Sequence, residues 1–277
     1  MAEAKFAVAR SLAPDGILVL NADDPHVVNA APSVTHPIWW FSLDQTNPLI
    51  AQAQADGHPC SFVEHGALVF FDGATNAWSV AQDDVPITFA GAAKHNVRNA
   101  LAALCVSMAL GIAPEAIRKG LSGFASDPND NPGRFNEFHY NGARVFVDFA
   151  HNTHSVDAVC GSLTGVPSER RFLMLSQPGD HSDRDIGDVV TAALQFTPDL
   201  IVAAEIADYL RGRALGETPA LIETSAIAGG IEPDHIQRAA SPSEGARQIL
   251  DRARPGDLIL LLVLSDRDRV FEMLRNA

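Results

Sequence analysis

The apolar positions of this chain change their period partway along, and that change organises the whole reading. Ile17-Leu-Val-Leu20 is a short apolar run between the turn signal Pro14-Asp15-Gly16 and the polar stretch Asn21-Ala-Asp-Asp-Pro25. Such a run predicts a buried strand that delivers polar residues at its C-terminal end. Residues 4–12 ahead of it predict a short helix, and Ile38-Trp-Trp-Phe-Ser42 a second strand. Between Ala51 and Phe89, short runs such as Ala67-Leu-Val-Phe-Phe71 and Val85-Pro-Ile-Thr-Phe89 alternate with Asp-Gly and Asn turns. They predict antiparallel hairpins. From Lys94 to Leu110 the spacing becomes helical and stops at Gly111. Ala113 to Arg118 opens another helix, with Pro114 in its first turn.

Ser126 to Arg134 holds two prolines, a glycine and four Asp or Asn residues, the pattern of a linker. Beyond it, strands and helices alternate. Arg144–Asp148, Phe172–Leu175, Leu200–Ala203 and Leu258–Leu264 read as strands. Helices fall at 155–163, 186–195, 218–228 and 243–254. This alternation predicts a mostly parallel sheet covered on both faces, hence an α/β fold.

Composition narrows the class of protein. No apolar run approaches the eighteen or so residues of a membrane span. Met1-Ala-Glu-Ala-Lys-Phe6 lacks the basic-then-apolar order of a secretory leader. Cys60, Cys105 and Cys160 are odd in number and far apart, which predicts buried reduced thiols and a cytoplasmic protein. The formal net charge of −14 repels nucleic acid and anionic membrane. It would suit a cationic partner such as an arginine-bearing substrate, although solubility alone also accounts for it.

The candidate chemistry sits where strands end. Asp148-Phe-Ala-His-Asn152 falls at a strand-to-helix junction, and open parallel sheets bind ligands outside the carboxyl ends of their strands. A carboxylate there can accept from a ribose diol, while His151 and the helix N-terminus favour an anion. Equally, Asp148 and Asn152 can do no more than cap the helix. In Lys94-His-Asn-Val-Arg-Asn99, Asn96 and Asn99 share a helix face, and an amide offers the donor and acceptor that an adenine edge requires. Capping of a solvated helix is the competing account. Gly133-Arg134 follows the linker, where a guanidinium can reach phosphate or ribose. Lys5, Gln177–Asp180 and Arg211–Arg213 carry no signal of their own beyond surface charge and turns.

Taken jointly, these segments resemble the Mur ligase superfamily from its central domain onward. The likeness rests on residues 13–25, Pro132-Gly-Arg134, Val147–Asn152, Pro178-Gly-Asp180, Leu210–Arg213 and Ala253–Ile259. Within the superfamily it points to the C-terminal ligase region of cyanophycin synthetases. The resemblance implies a partial central ATPase domain over 1–132, a mixed sheet with hairpins and helices. A Rossmann-like C-terminal domain, which closes over the nucleotide, would follow over 133–277. It implies ATP with Mg2+ in the complete enzyme. His95, Asn96 and Asn99 would lie on the adenine side, and Arg134 and Asp148 would contact ribose and phosphate. His151 and Asn152 would sit near the transferring phosphate or the incoming amine. Lys5 falls where many family members carry a carbamylated lysine, an oxygen-bearing anion suited to magnesium.

There are departures as well. No Gly-x-x-x-x-Gly-Lys-Ser/Thr phosphate loop occurs in these 277 residues. Thr153 stands where the family usually has proline, and His181-Ser-Asp-Arg-Asp-Ile186 alters the family's charged run. The expectation is therefore part of an ATP-dependent amide ligase that joins a carboxylate to an amino acid or peptide. It would need a partner segment bearing the phosphate loop. The rival expectation is a non-catalytic relative, a ligand-binding or interaction module whose unpaired sheet edge invites a homodimer.

Overall fold

The computed structural model describes residues 6–275, so the predicted role of Lys5 lies outside the described residues. The chain forms two compact units that divide between Ala125 and Ser126.

In the first unit β1 (Leu18–Asn21), β2 (Ile38–Ser42) and β3 (Cys60–Glu64) run parallel. β4 (Ala67–Phe71) and β5 (Trp78–Ala81) then add antiparallel, in the order β1-β2-β3-β4-β5. The turn between β3 and β4 is His65-Gly66, both with positive φ, as the twist of a tight hairpin demands. A short helix, Pro25–Ala30, starts at Asp24, whose Oδ1 accepts from the His26 amide at 2.9 Å. The helix Pro48–Ala55, unmarked in the sequence pattern, covers one face of the sheet, packing Ile50 and Ala53 on Cys60, Phe62 and Val69.

The long helix Lys94–Ala109 covers the other face. Val97, Leu101 and Leu104, spaced four and three apart, seat on Leu68, Phe70, Trp78 and Val80. The stretch predicted as a strand at Val85–Phe89 is instead a 3-10 turn, Pro86–Thr88. Pro86 cannot donate to a ladder. The Thr88 hydroxyl donates to the carbonyls of Gln82 and Val85, each at 2.9 Å, which curls the segment.

The second unit holds a six-stranded sheet: β6 (Asn136–Tyr140), β7 (Ala143–Asp148), β8 (Arg171–Ser176), β9 (Leu200–Ala204), β10 (Ile236–Ala239) and β11 (Leu258–Leu262). Its order is β10-β9-β8-β11-β7-β6, with only β6 antiparallel. Helices Thr153–Leu163, Asp183–Ala193, Glu217–Ala228, Pro242–Leu250 and Arg267–Arg275 alternate with the strands. β9 and β11 are buried along their whole length, as strands covered on both faces must be.

The segment expected to be a loose linker belongs to this second unit. Asn136 Oδ1 accepts from the Gly133 amide at 2.6 Å, and Asn136 Nδ2 donates to the Asn131 carbonyl at 2.9 Å. One buried amide therefore ties the proline-rich turn to the start of β6. The compact units divide earlier than the expected 132/133 boundary for this reason.

Candidate functional site

Asp148 ends β7 and is only 7% exposed. Its Oδ2 accepts from the Phe135 amide at 2.7 Å and its Oδ1 from the Ala150 amide at 2.7 Å. The carboxylate thus fixes the backbone just after Arg134 and just before His151. Burial pushes its pKa up to about 6, opposed by those two amides and by the nearby Arg134 guanidinium. Arg134 itself is exposed and stacks over the Phe149 ring at 5.2 Å. Asp148 therefore organises the strand end beside an exposed guanidinium, while the capping of the following helix falls to Asn152 alone.

Asn152 caps the helix Thr153–Leu163, its Oδ1 accepting from the Ser155 amide at 3.0 Å, while Ser155 Oγ returns a bond to the cap. His151 donates Nδ1–H to the Phe149 carbonyl at 3.0 Å. Phe149 and His151 line a cavity of about 210 Å3 with Pro178, His181, Tyr209, Arg211 and Leu264. These residues follow the C-terminal ends of β7, β8, β9 and β11, where open α/β sheets bind ligands.

The segments after β8 and β9 include Pro178-Gly-Asp180 and Leu210–Arg213, which carried part of the family likeness but no role of their own. Gly179 donates its amide to the Tyr209 carbonyl at 2.8 Å, and a Cβ at that position would overlap the Leu210 carbonyl. Arg213 braces the same approach, donating to the carbonyls of Gly179 at 2.9 Å and His181 at 2.7 Å while pairing with Asp183 and Glu217. Arg211 pairs with Asp180 at 2.7 Å. Glu205, buried at the end of β9, accepts from the amides of Ile206 and Gly216 and closes the loop that presents Tyr209 and Arg211. The available signal was positional: like His151, these residues follow apolar strands.

The remaining predicted residues lie in the first unit. Asn96 is buried, and its amide donates to the Ile87 carbonyl at 2.9 Å. Asn99 is exposed and donates to Asn96 Oδ1 at 3.3 Å, which leaves its own Oδ1 facing outward from the helix start. Burial, then Arg98, lowers the pKa of His95 to about 4, so its ring is neutral at neutral pH. Arg98 also approaches Asp23 at 3.6 Å, and Asp23 accepts from the Ser42 hydroxyl and the Leu43 amide. The polar stretch after β1 is thereby tied to the end of β2.

In the second unit the exposed Arg134 guanidinium lies beside an aromatic face, and in the first unit Asn99 is exposed at the start of its helix. Among the described residues no group of three His, Cys, Asp or Glu side chains converges on a metal position. The three cysteines are free and buried. Among the described residues no helix is long and apolar enough to cross a membrane.

Solved Mur ligases share this fold. An Acinetobacter baumannii MurF superposes with a TM-score of 0.63 at 18% identity, over 99% of this chain and 55% of that one. A Thermotoga maritima MurF in complex with ADP gives 0.60 at 18% identity, over 99% and 55%. The Mur ligase middle domain matches residues 1–107, and the Mur ligase glutamate ligase domain matches residues 133–262. The chain belongs to the Mur ligase superfamily. It is similar to cyanophycin synthetase of Trichormus variabilis, 30% identical over 95% of this chain and 29% of that protein. UDP-N-acetylmuramate–L-alanine ligase of Xanthomonas axonopodis is 28% identical over 94% and 52%. The chain therefore spans under a third of the cyanophycin synthetases it matches and about half of the alanine ligases.

Proposed function

We propose that this chain is part of an ATP-dependent carboxylate–amine ligase of Mur or cyanophycin-synthetase type, acting with a phosphate-loop segment that its 277 residues lack. ATP would supply the phosphoryl group that activates a carboxylate as an acyl phosphate. The observation that carries this reading is the coupling of Asp148 to Arg134: a buried carboxylate fixes the backbone beside an exposed guanidinium. Arg134 holds and orients phosphate or ribose oxygens, which its planar fork suits. Asn99 serves the base, with Asn96 and neutral His95 setting the first turn of its helix. His151 and Asn152 serve the reacting end, where an amino acid or peptide amine attacks.

Magnitudes set what the missing loop means. Charge-assisted hydrogen bonds contribute about 1.5–3 kcal/mol each, and a phosphate loop makes several. Without them phosphate binding weakens by roughly a thousandfold or more, since about 1.4 kcal/mol is a factor of ten. The chain alone should bind ATP weakly and hydrolyse none. Co-expression with a phosphate-loop segment of the same family should restore ATP turnover dependent on a carboxylate and an amine. Vigorous hydrolysis by the purified chain alone would overturn this division of labour.

A second reading, a non-catalytic binding or interaction module, draws on β1. Among the described residues its outer edge pairs with no strand, although parallel strands are ordinarily covered. Light scattering separates the two: a stable homodimer with no gain from a phosphate-loop segment favours the module.

A further inference from the structure

The helices Pro242–Leu250 and Arg267–Arg275 are neighbours on one face of the second sheet, where Ala246, Ile249, Val270, Phe271 and Leu274 share a core with β8, β9 and β11. Between them lies a groove of about 420 Å3, lined by Ser243, Arg247, Arg269, Glu272 and Met273. None of these residues lines the cavity of Phe149, His151 and His181. Arg269, Glu272 and Met273 are spaced three and four apart, hence on one face of their helix, and Ser243 and Arg247 share a face of theirs.

The charges of this groove are left in an unusual state. Arg247 and Arg269 are exposed, and among the described residues neither forms an ion pair, in a chain that holds 34 acidic residues. Carboxylates that could neutralise them are engaged elsewhere. Glu244, three residues before Arg247, turns back to accept from the Ala240 amide at 3.0 Å. Asp268 pairs with Arg267 at 2.9 Å. Asp266, three residues before Arg269, accepts from the Ser243 hydroxyl at 2.8 Å. That last bond ties the starts of both helices, so the two walls are fixed relative to each other before a ligand arrives. The lining keeps one carboxylate, Glu272, which is exposed and unpaired among the described residues.

Two guanidiniums and one carboxylate around a thioether define what they complement. The planar fork of an arginine takes a carboxylate through two parallel bonds, and a carboxylate takes an ammonium group. Met273, half-buried against the core, offers an adaptable apolar surface to a short methylene chain. A ligand of one sign only would oppose part of the lining. We propose that this groove is a second binding site, separate from the reacting end, for an α-amino acid with an acidic side chain. Arg247 and Arg269 each hold one of its carboxylates, and Glu272 holds its ammonium group. The volume lies towards the small end of ligand pockets, in keeping with a molecule of that size. The site goes beyond the ligase reading and does not depend on it.

Titration of the full chain labelled at its methionine methyl carbons provides the test. Of the four methionines, Met273 lines the groove and Met108 lies in the first unit. L-Glutamate, as the probe, should move the Met273 methyl signal saturably and leave that of Met108 in place. L-Glutamine, which lacks the second carboxylate, and glutarate, which lacks the ammonium group, should each bind about tenfold or more weakly. Arg247→Gln and Arg269→Gln should each weaken L-glutamate by a similar factor. Glu272→Gln should weaken L-glutamate yet strengthen glutarate, a reversal that loss of folding cannot produce. Arg184→Gln, in an exposed pair on another helix, should leave binding unchanged. An unmoved Met273 signal, equal affinities for the three probes, or arginine variants that bind like the original chain would overturn the proposal. None of these readouts involves ligation, so this assignment and the ligase reading fail separately.

Discussion

The two units solve the same packing problem to different degrees. In the second, β9 and β11 lie buried end to end beneath helices on both faces. In the first, β1 has one buried residue, Leu18, followed by three half-buried ones, and its outer edge is unpaired among the described residues. A parallel edge strand with half-covered side chains gains less from the hydrophobic effect than a central one. The difference teaches where a partner could matter. β6 and β10, at the edges of the second sheet, are half-buried as β1 is, so the contrast lies between central and edge strands.

Core truncations give the largest test of that contrast. Leu261→Ala, in the fully buried β11, should cost about 2–5 kcal/mol of stability. Leu20→Ala, half-buried on β1, should cost well under half as much, read by chemical denaturation followed with probes in each unit. Equal losses would erase the distinction.

The units should also answer acid in opposite directions. His95 has its folded pKa lowered to about 4, first by burial and then by Arg98. Its unfolded form binds protons more readily, so the stability it contributes is lost as pH falls from about 6.5 towards 4. Asp148 has its folded pKa raised to about 6 by burial. Here the folded form holds the proton better, so the second unit gains from this group as pH falls from about 6 towards 4 and loses as pH rises through that window. Each effect amounts to about 3 kcal/mol at most. Amide exchange resolved by unit, measured from pH 4 to 7, should show the opposite slopes, and His95→Gln and Asp148→Asn should each flatten one of them.

Arg213→Ala sharpens the comparison inside the second unit. Removing a guanidinium that donates to two loop carbonyls and two carboxylates should cost about 1–3 kcal/mol. Amide exchange should rise around Gly179 and Tyr209 while β7 stays protected. The smallest effect is expected at the free edge. Val19→Lys should change stability by less than about 1 kcal/mol and still suppress any self-association, because a charged edge strand resists pairing. Light scattering of the variant against the original chain checks it.

Much of the architecture could be read from the chain. The second unit's alternation of apolar runs and helical spacing placed β7, β8, β9 and β11 within two residues, because strands buried on both faces must be apolar throughout. β6 and β10 were not legible, since sheet-edge strands need no continuous apolar run. The expected strand at Val85–Phe89 failed because Thr88 found closer carbonyls than any ladder offered. The segment Ser126–Arg134 carries no helix or strand, as expected, and its conformation is held locally by the Asn136 amide.

The candidate site divides along the same line. The chain by itself determined that Asp148, His151 and Asn152 would sit at a strand-to-helix junction, since local periodicity and turn chemistry act over a few residues. It also carried the family likeness that the two domain matches bear out. Only the tertiary structure decided that the carboxylate of Asp148 faces the amide of Phe135, and that His151 shares a cavity with His181, Tyr209 and Arg211. Phe135 lies 13 residues from Asp148, and the cavity partners lie 30 to 60 residues from His151. Sheet order brings them together, and no local pattern encodes it.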